Sequence, residues 1–555
     1  MIHTDDDIDS LAIRENDAAF LRRAVRFSWI ALIVAILYQC VFFPKIENIV
    51  AMTAVVFAWV IATTMLLKQK ALETNLISTF MVLGFVSTQF YFPLMFTTME
   101  NKPLIYNLEL PEQVFLHSTL CLSVILISHL FYKFLMRSTP DRQVSLLAKA
   151  GFFDPPSHLQ LWVLGVLGMA ASFYVHFANP EVGRGATGDP ADKFLQALAF
   201  FMYSPFFIPL GRLYGNPTKP GRMFTPMIIF YAMLLFGISV AQNSRGTFMV
   251  GLTTPVFAYA LGLLLGVYKT RIITVRNVLV AAVAIWVLTG PFADLGTAMV
   301  LVREQKKDVS PGELVNLTLE TLDDKKAIES AQKESLNESP DFDWDERYLN
   351  NIFTARFANI KFNDASLITY SKVGTFDPDM MEFSIEQVLA SLPTPILKAF
   401  NLDVDKETLH ALSYGDYLYI LSGGFGTPTG WRVGHMAGIG MATLGWWYLA
   451  ALGVVMIPIF YLNDKFFRPR TLDPLASAGA PERRFIFSFC GVLALTAFFQ
   501  SLVYESVFQY VVYLMRGWPQ MVLLYFVMFH LSRLISLLIS PRKRQLKFSP
   551  DLSND

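Results

Sequence analysis

Apolar runs of the length that spans a hydrocarbon core, about 20 residues for roughly 30 Å, alternate with short polar segments along most of this chain. Twelve are read, near 24–43, 48–67, 75–96, 114–132, 158–178, 194–214, 223–241, 247–268, 277–301, 436–462, 485–505 and 518–539. The last has two weak points, Arg516 at its mouth and Arg533 near its inner end. The pattern predicts an all-α, polytopic integral membrane protein with about 12 transmembrane helices. One polar interruption stands apart, the insert from Arg303 to His435. It is predicted to be mostly helical. Ser310-Pro-Gly-Glu313 reads as a helix start with a capping residue and an acid three positions on. A second helical stretch is predicted from about Asp343 to Tyr370, with Asp343 and Arg347 spaced to pair at i, i+4. The mixed segment 384–400 is suited to lie along a membrane surface.

Composition fits this layout: 54% of residues are hydrophobic and 16% charged, against roughly 25% charged in a soluble domain. Lys and Arg set the orientation. With a cytoplasmic tail at 1–23, which ends in Arg22 and Arg23, 26 of the 45 basic residues fall on the inner side and 6 in short outer loops; the insert holds 13. Both termini, including the basic tail 541–555, are then expected in the cytoplasm, with spans at 24–302 and 436–540 and the insert at 303–435 outside. The insert carries 22 acidic residues against its 13 basic ones, which argues against a nucleic-acid partner. The first span is expected to be its own insertion signal, and Cys40, Cys121 and Cys490, all within apolar runs, are read as packing residues. The spans read as closed, without polar breaks at mid-membrane in matching halves, which counts against a duplicated transporter.

Candidate chemistry gathers at the outer boundary. Arg245 lies in the tight turn Gln242-Asn-Ser-Arg245-Gly246, where a guanidinium is costly near lipid unless it has a partner. Its planar fork suits a pyrophosphate or a carboxylate, or it snorkels to phospholipid headgroups. Arg184, flanked by glycines, is either a ligand contact or a solvated loop residue. Asp294 lies inside the ninth run behind Pro291, as a functional intramembrane carboxylate or as a structural partner of Arg303 or Arg245. Arg347 and Arg356, among Asn350, Asn351, Asn359, Asn363, Tyr348, Phe353 and Phe357, offer the amide, guanidinium and aromatic groups that sugars require, or form a solvated amphipathic helix. His435 stands where the insert re-enters the membrane and, as neutral imidazole, could take a proton from an attacking hydroxyl. Asp416, in Tyr414-Gly-Asp-Tyr417, is the competing base. No zinc-ligand spacing or phosphate-cradling Gly-Lys-Ser/Thr sequence is present.

Three features together resemble the Wzy-type polymerases of bacterial polysaccharide repeat units, cousins of the O-antigen ligases: the span count with a large late outer loop, the turn Asn243-Ser-Arg245-Gly246, and the re-entry Gly423-Gly-Phe-Gly … Arg432-Val-Gly-His435 … Gly438-Ile-Gly440-Met-Ala-Thr-Leu-Gly445-Trp. The resemblance implies a glycosyltransferase of the bacterial inner membrane, acting at the periplasmic face without cofactor or metal. It would move a growing glycan from an undecaprenyl-pyrophosphate carrier to a lipid-linked repeat unit. Arg245 and Arg184 would then hold pyrophosphate, assisted by Arg303 or Arg432, with His435 or Asp416 as base. Membrane lipids, a flippase and a chain-length regulator are the implied partners. The alternatives are a ligase of the same superfamily, a polysaccharide or lipid transporter, and a non-enzymatic assembly subunit whose acidic insert docks a partner.

Overall fold

A computed structural model describes residues 5–136, 145–178, 190–242, 244–268, 290–302, 309, 311–330, 344–351, 353–424, 432–469, 485–500 and 502–540, with Leu279, Val283 and Val287 between. Among these residues nine helices are long and apolar enough to cross a membrane. They belong to α1 (Asp5–Phe42), α2 (Ile46–Leu66), α3 (Leu76–Met99), α4 (Pro111–Met136), α5 (His158–Phe177), α6 (Lys193–Leu213), α7 (Phe224–Ala241), a helix beginning at Trp447, and one spanning Val507–Ile539. Helix α8 (Arg245–Leu264) carries Pro255, and its apolar part, Met249–Leu264, is shorter than these spans. Of the ninth predicted run, only α9 (Pro291–Leu301) and isolated positions are described. The chain is an all-helical, multi-pass membrane protein; its one sheet among the described residues is the pair β1 (Phe467–Pro469) and β2 (Phe485–Phe487).

Helices dominate the described insert: α10 (Pro311–Asp323), α11 (Ile360–Val373), α12 (Pro378–Ala390), α13 (Thr394–Ala399), α14 (Lys406–Ala411) and α15 (Tyr414–Leu421). Helix α10 starts where the capping pattern predicts. The helix expected from about Asp343 to Tyr370 forms only in its second part: 344–350 is non-helical, and α11 begins at Ile360. Asp343 lies outside the described residues, and among the described ones Asp345 pairs with Arg347. Its carboxylate receives Arg347 Nε at 2.8 Å and a second guanidinium N–H at 3.0 Å, and its Oδ1 also accepts the Arg347 backbone N–H. A side chain that binds the backbone two residues on favours a turn over a helix.

Polar contacts between loops sort onto two faces, as alternating spans require. On one face the 97–113 loop grips the insert. Lys102 Nζ donates to Tyr348 O (3.2 Å) and Asn350 Oδ1 (2.8 Å), and Glu100 accepts the N–H groups of Asn350 and Asn351. On the other face Asp464 is buried against Asn75, Ser78 and Tyr132, Gln160 donates to Phe529 O (2.9 Å), and Arg533 pairs with Asp154 at 3.3 Å.

The spans are not uniformly closed, contrary to their sequence appearance. Single π turns interrupt or end four of them, at Ala62–Leu66, Ser87–Tyr91, Tyr174–Ala178 and Tyr513–Gly517. The sixth runs as 3-10 helix over Ala199–Leu213, with Pro205 and Pro209 inside; proline removes a donor and its ring crowds the preceding turn. The tenth predicted span divides at Gly445 into α16 (Met436–Leu444) and α17 (Trp447–Asn463). Gly445 has φ +52°, and a Cβ there would lie 2.9 Å from Thr375 and Phe376 side chains of the insert. The eleventh breaks into β2 and two short helices, α18 (Phe489–Leu493) and α19 (Leu495–Gln500), followed by a non-helical connector to α20 (Val507–Ile539).

Candidate functional site

The insert does not rest on the bundle; one of its helices is built into it. Helix α11 buries Ile360, Lys361, Asn363, Asp364, Ala365, Ser366, Leu367 and Thr369 against α4 and α16. Asp364 is enclosed and acts as an external cap for α4, accepting the N–H groups of Glu109 (3.1 Å) and Leu110 (2.9 Å). Lys361 Nζ pairs with it at 2.7 Å and also donates to Asn107 O. A carboxylate at a helix N-terminus meets both unpaired amides and the positive end of the helix dipole.

Helices α11 and α16 run side by side in the same direction. Gly438 abuts the backbone of Ser366, where a Cβ would lie 2.4 Å from its carbonyl, and further along Asp377 N donates to Ala442 O. One turn back, Asn363 and His435 stand at one level, next to α4. Asn363 Nδ2 donates to Ser118 Oγ (3.1 Å) and Val114 O (3.2 Å), and Ser118 Oγ donates to Gln89 Oε1 in the π turn of α3 (3.4 Å). The neighbouring His117 bonds the Tyr448 hydroxyl at 2.8 Å and stacks on Trp446. Four buried polar atoms here lack a hydrogen-bond partner: Gln89 Nε2, Asn363 Oδ1, Ser366 Oγ and His435 Nε2. Such groups each cost on the order of 1–3 kcal/mol.

His435 caps α16: its Nδ1 accepts the Ala437 N–H at 3.2 Å. Burial, then the nearby His117, pushes its pKa down to about 3, so the ring is neutral. With Nδ1 occupied as acceptor, the single ring proton sits on Nε2. In this state His435 offers a donor at Nε2 and no free lone pair.

Above this buried layer lies a charged rim. Asp416 is fully enclosed and heavily used. It forms a capping box with Ser413 at the start of α15, and its Oδ1 accepts the Arg432 N–H and Arg432 Nη1, both at 3.1 Å. The Arg432 guanidinium lies 4.0 Å over the Tyr419 ring, a cation–π contact. Asp416 therefore closes the loop that carries Arg432, and its lone pairs are committed to that. Glu346 Oε1 accepts the Val433 N–H (2.9 Å) and Trp344 Nε1 (3.0 Å), tying the first part of the insert to the same strand of chain.

The remaining carboxylate comes from the bundle. Glu505, in the connector before α20, accepts the N–H of Gly415 (3.3 Å), with Tyr414 and Gly434 as further backbone donors. It is half-buried, and burial together with the neighbouring Asp416 charge outweighs those donors, so its pKa is pushed up to about 7. A carboxylate that titrates near neutrality and retains some access to the surface has the properties of a general base.

The other sequence candidates fall as follows. Arg347 is held by Asp345, whose carboxyl is raised by burial but lowered further by Arg347 and Asn107, to about 2 net. Arg356 is exposed on a 3-10 turn, Thr354–Phe357. Asp294 is half-buried in the first turn of α9. Arg245 opens α8, but its side chain, like Arg184 and Arg303, lies outside the described residues. The amide and aromatic set around Arg347 is dispersed rather than gathered on an open face: Tyr348 Oη donates to Leu104 O, Asn350 receives Lys102, and Asn363 joins the buried layer. Glu505 was legible by the argument applied to Arg245, a charge at the mouth of an apolar run, as Leu502-Val-Tyr-Glu505 shows. Comparison with protein-family models, curated proteins and solved structures returned no match.

Proposed function

We propose that the chain is a membrane-embedded glycosyltransferase that polymerises lipid-linked saccharide units at its insert-bearing face. In this reading it has twelve spans and both termini in the cytoplasm of a bacterial inner membrane. The observation that carries the reading is Glu505: a partly accessible carboxylate poised near pH 7, where the large insert meets the outer end of the bundle. Glycosyl transfer from a lipid pyrophosphate needs little else from the protein. The acceptor hydroxyl gives its proton to Glu505 as its oxygen bonds the anomeric carbon. The bond from that carbon to the pyrophosphate oxygen breaks, and the pyrophosphate keeps the electron pair. Undecaprenyl pyrophosphate is the carrier proposed, with Arg432 at the junction and Arg245 and Arg184 as cations for the leaving group. Tyr419 and Trp344, buried and packed edge to face, hold Arg432 and the start of the insert in place beside Glu505.

A second reading, a polysaccharide or lipid transporter, is favoured by the interrupted spans, above all the 3-10 course of α6. Surface glycan size in a gene-deletion strain, complemented with wild type or Glu505→Gln, separates the two. A polymerase predicts a ladder with wild type. The deletion and Glu505→Gln strains should show single repeat units that still reach the outer face, at equal membrane levels of the variant protein. Units retained on the cytoplasmic side would support transport, and an unchanged ladder in the deletion strain would reject both.

A further inference from the structure

Three cationic side chains, Lys193, Lys406 and Arg516, come from separate outer segments and lie within electrostatic reach of one another and of His410. Lys193 opens α6, Arg516 stands in the π turn of α20, and Lys406 and His410 lie on α14 of the insert. The fold explains how they meet. Helix α14 is fastened to α12 by Gln387 Nε2, which donates to Leu409 O (2.6 Å), and by Lys406 Nζ, which donates to Leu392 O. Helix α12 packs on the first turns of α20, Val507–Val512, and Phe508 there adjoins the cluster containing Leu409. Those turns stand above the apolar run 518–539, which leaves Arg516 at its mouth, the depth of lipid headgroups.

The four feel one another. Burial lowers the pKa of His410 and Lys406, and Lys193 and Arg516 lower both further. Among the described residues none of the four forms an ion pair; Arg516 has only a 3.3 Å contact to Gln520. Like charges held together without a counterion are destabilising, so the cluster is a standing demand for an anion. Exposed apolar side chains flank it: Phe194 beside Lys193, Met515 beside Arg516, and, just past Leu392, Ile396 on α13 and Phe400 at its end. A soluble anion would not use that surface. An amphiphile with phosphate above and hydrocarbon below would use both.

We propose that Lys193, Lys406, His410 and Arg516 form a binding site for the phosphate-bearing head of a membrane amphiphile. Two sources share this chemistry, an anionic phospholipid and a prenyl pyrophosphate carrier. The second source would place the lipid-linked substrate of the proposed polymerase, and it rests on that reading; the site itself does not.

The test is binding, independent of any glycan assay. Full-length protein is titrated in neutral detergent with a short-chain prenyl pyrophosphate, with inorganic pyrophosphate, and with phosphatidylglycerol against phosphatidylcholine. Wild type is compared with Lys406→Gln, Lys193→Gln and Arg516→Gln, with Lys149→Gln on the opposite face as control. Loss of prenyl pyrophosphate affinity by about tenfold or more in the site variants, with inorganic pyrophosphate bound much more weakly, supports a carrier site. The same loss for phosphatidylglycerol alone supports a lipid site. Saturable binding of neither amphiphile, or equal affinity in wild type and all three site variants, overturns the proposal. Unfolding midpoints equal to wild type in at least one site variant keep the comparison valid, and the three substitutions are independent in fold position. Binding with an unaltered glycan ladder in the deletion strain would reject the polymerase reading while leaving the site in place.

Discussion

Removing the Asp364 carboxylate strikes the joint that makes the insert part of the bundle, and the cost can be worked from the contacts. In Asp364→Ala, the Lys361 ammonium, buried and 2.7 Å from the lost oxygen, keeps only the Asn107 carbonyl. Stranding one partner of a buried pair costs about 3–5 kcal/mol. The Glu109 and Leu110 amides also lose their acceptor at the head of α4, a cap worth about 1 kcal/mol. The retained carbonyl offsets part of this, so about 4 kcal/mol is expected. Replacing both residues, Lys361→Met with Asp364→Ala, removes the stranded charge and leaves the cap loss, so the double variant should cost only about 1–2 kcal/mol. Unfolding by sodium dodecyl sulfate in mixed micelles gives the three free energies and hence the coupling, expected to be at least about 2–3 kcal/mol, the excess of the Asp364→Ala cost over that of the double variant, with the Lys361→Met cost added to it. Additive single effects, or Asp364→Ala within about 1 kcal/mol of wild type, would refute the claim that α11 is docked through this pair.

Two other substitutions test the same junction. The Glu505 carboxyl binds its proton more tightly folded, at about 7, than at its ordinary 4.5; the folded state therefore holds more protons between those values, and stability should fall as pH rises through that window and level off above about 7. Glu505→Gln should abolish this slope in unfolding measurements between pH 4 and 8, and a slope that persists in the variant would assign it to another group. At Gly438 an added methyl carbon would sit 2.4 Å from the Ser366 backbone, so Gly438→Ala must part α11 from α16, lowering stability by about 1–3 kcal/mol; an unchanged melting transition in detergent would show that the two helices are not in backbone contact.

Hydrophobic periodicity carried the fold where helices are long and lipid faces one side, as in α1, where Ile30, Val34, Leu37 and Val41 are exposed. It failed where polar backbone is satisfied by neighbours instead of by the helix itself. The run 436–462 is apolar throughout, yet it turns at Gly445, since Thr375 and Phe376 of the insert occupy the space a side chain would need. The run 485–505 pairs its first residues with β1 before any helix forms. Neither partner is a sequence neighbour, so no local pattern announces it. The stretch 344–350 failed for the opposite reason: a local carboxylate, Asp345, takes the Arg347 backbone N–H that a helix would have used.

The site was harder to see than the fold, and the difference is one of burial. Residue type singled out Arg432, Asp416 and His435 near the re-entry, but their contacts follow from hydrogen bonds that only the packed structure supplies. Asp416 spends its lone pairs on Ser413 and Arg432, and His435 spends Nδ1 on Ala437. These contacts are structural, Asp416 fastening Arg432 and His435 capping α16, while burial raises the Glu505 carboxyl to about 7. The buried layer beneath makes the same point. Asn363 and Ser366 occupy positions that an amphipathic helix would turn to water, and in the fold they face Ser118 and Gly438. A polar helix drawn from a loop into one end of a membrane bundle carries hydrogen-bonding groups to a depth that apolar spans alone cannot furnish.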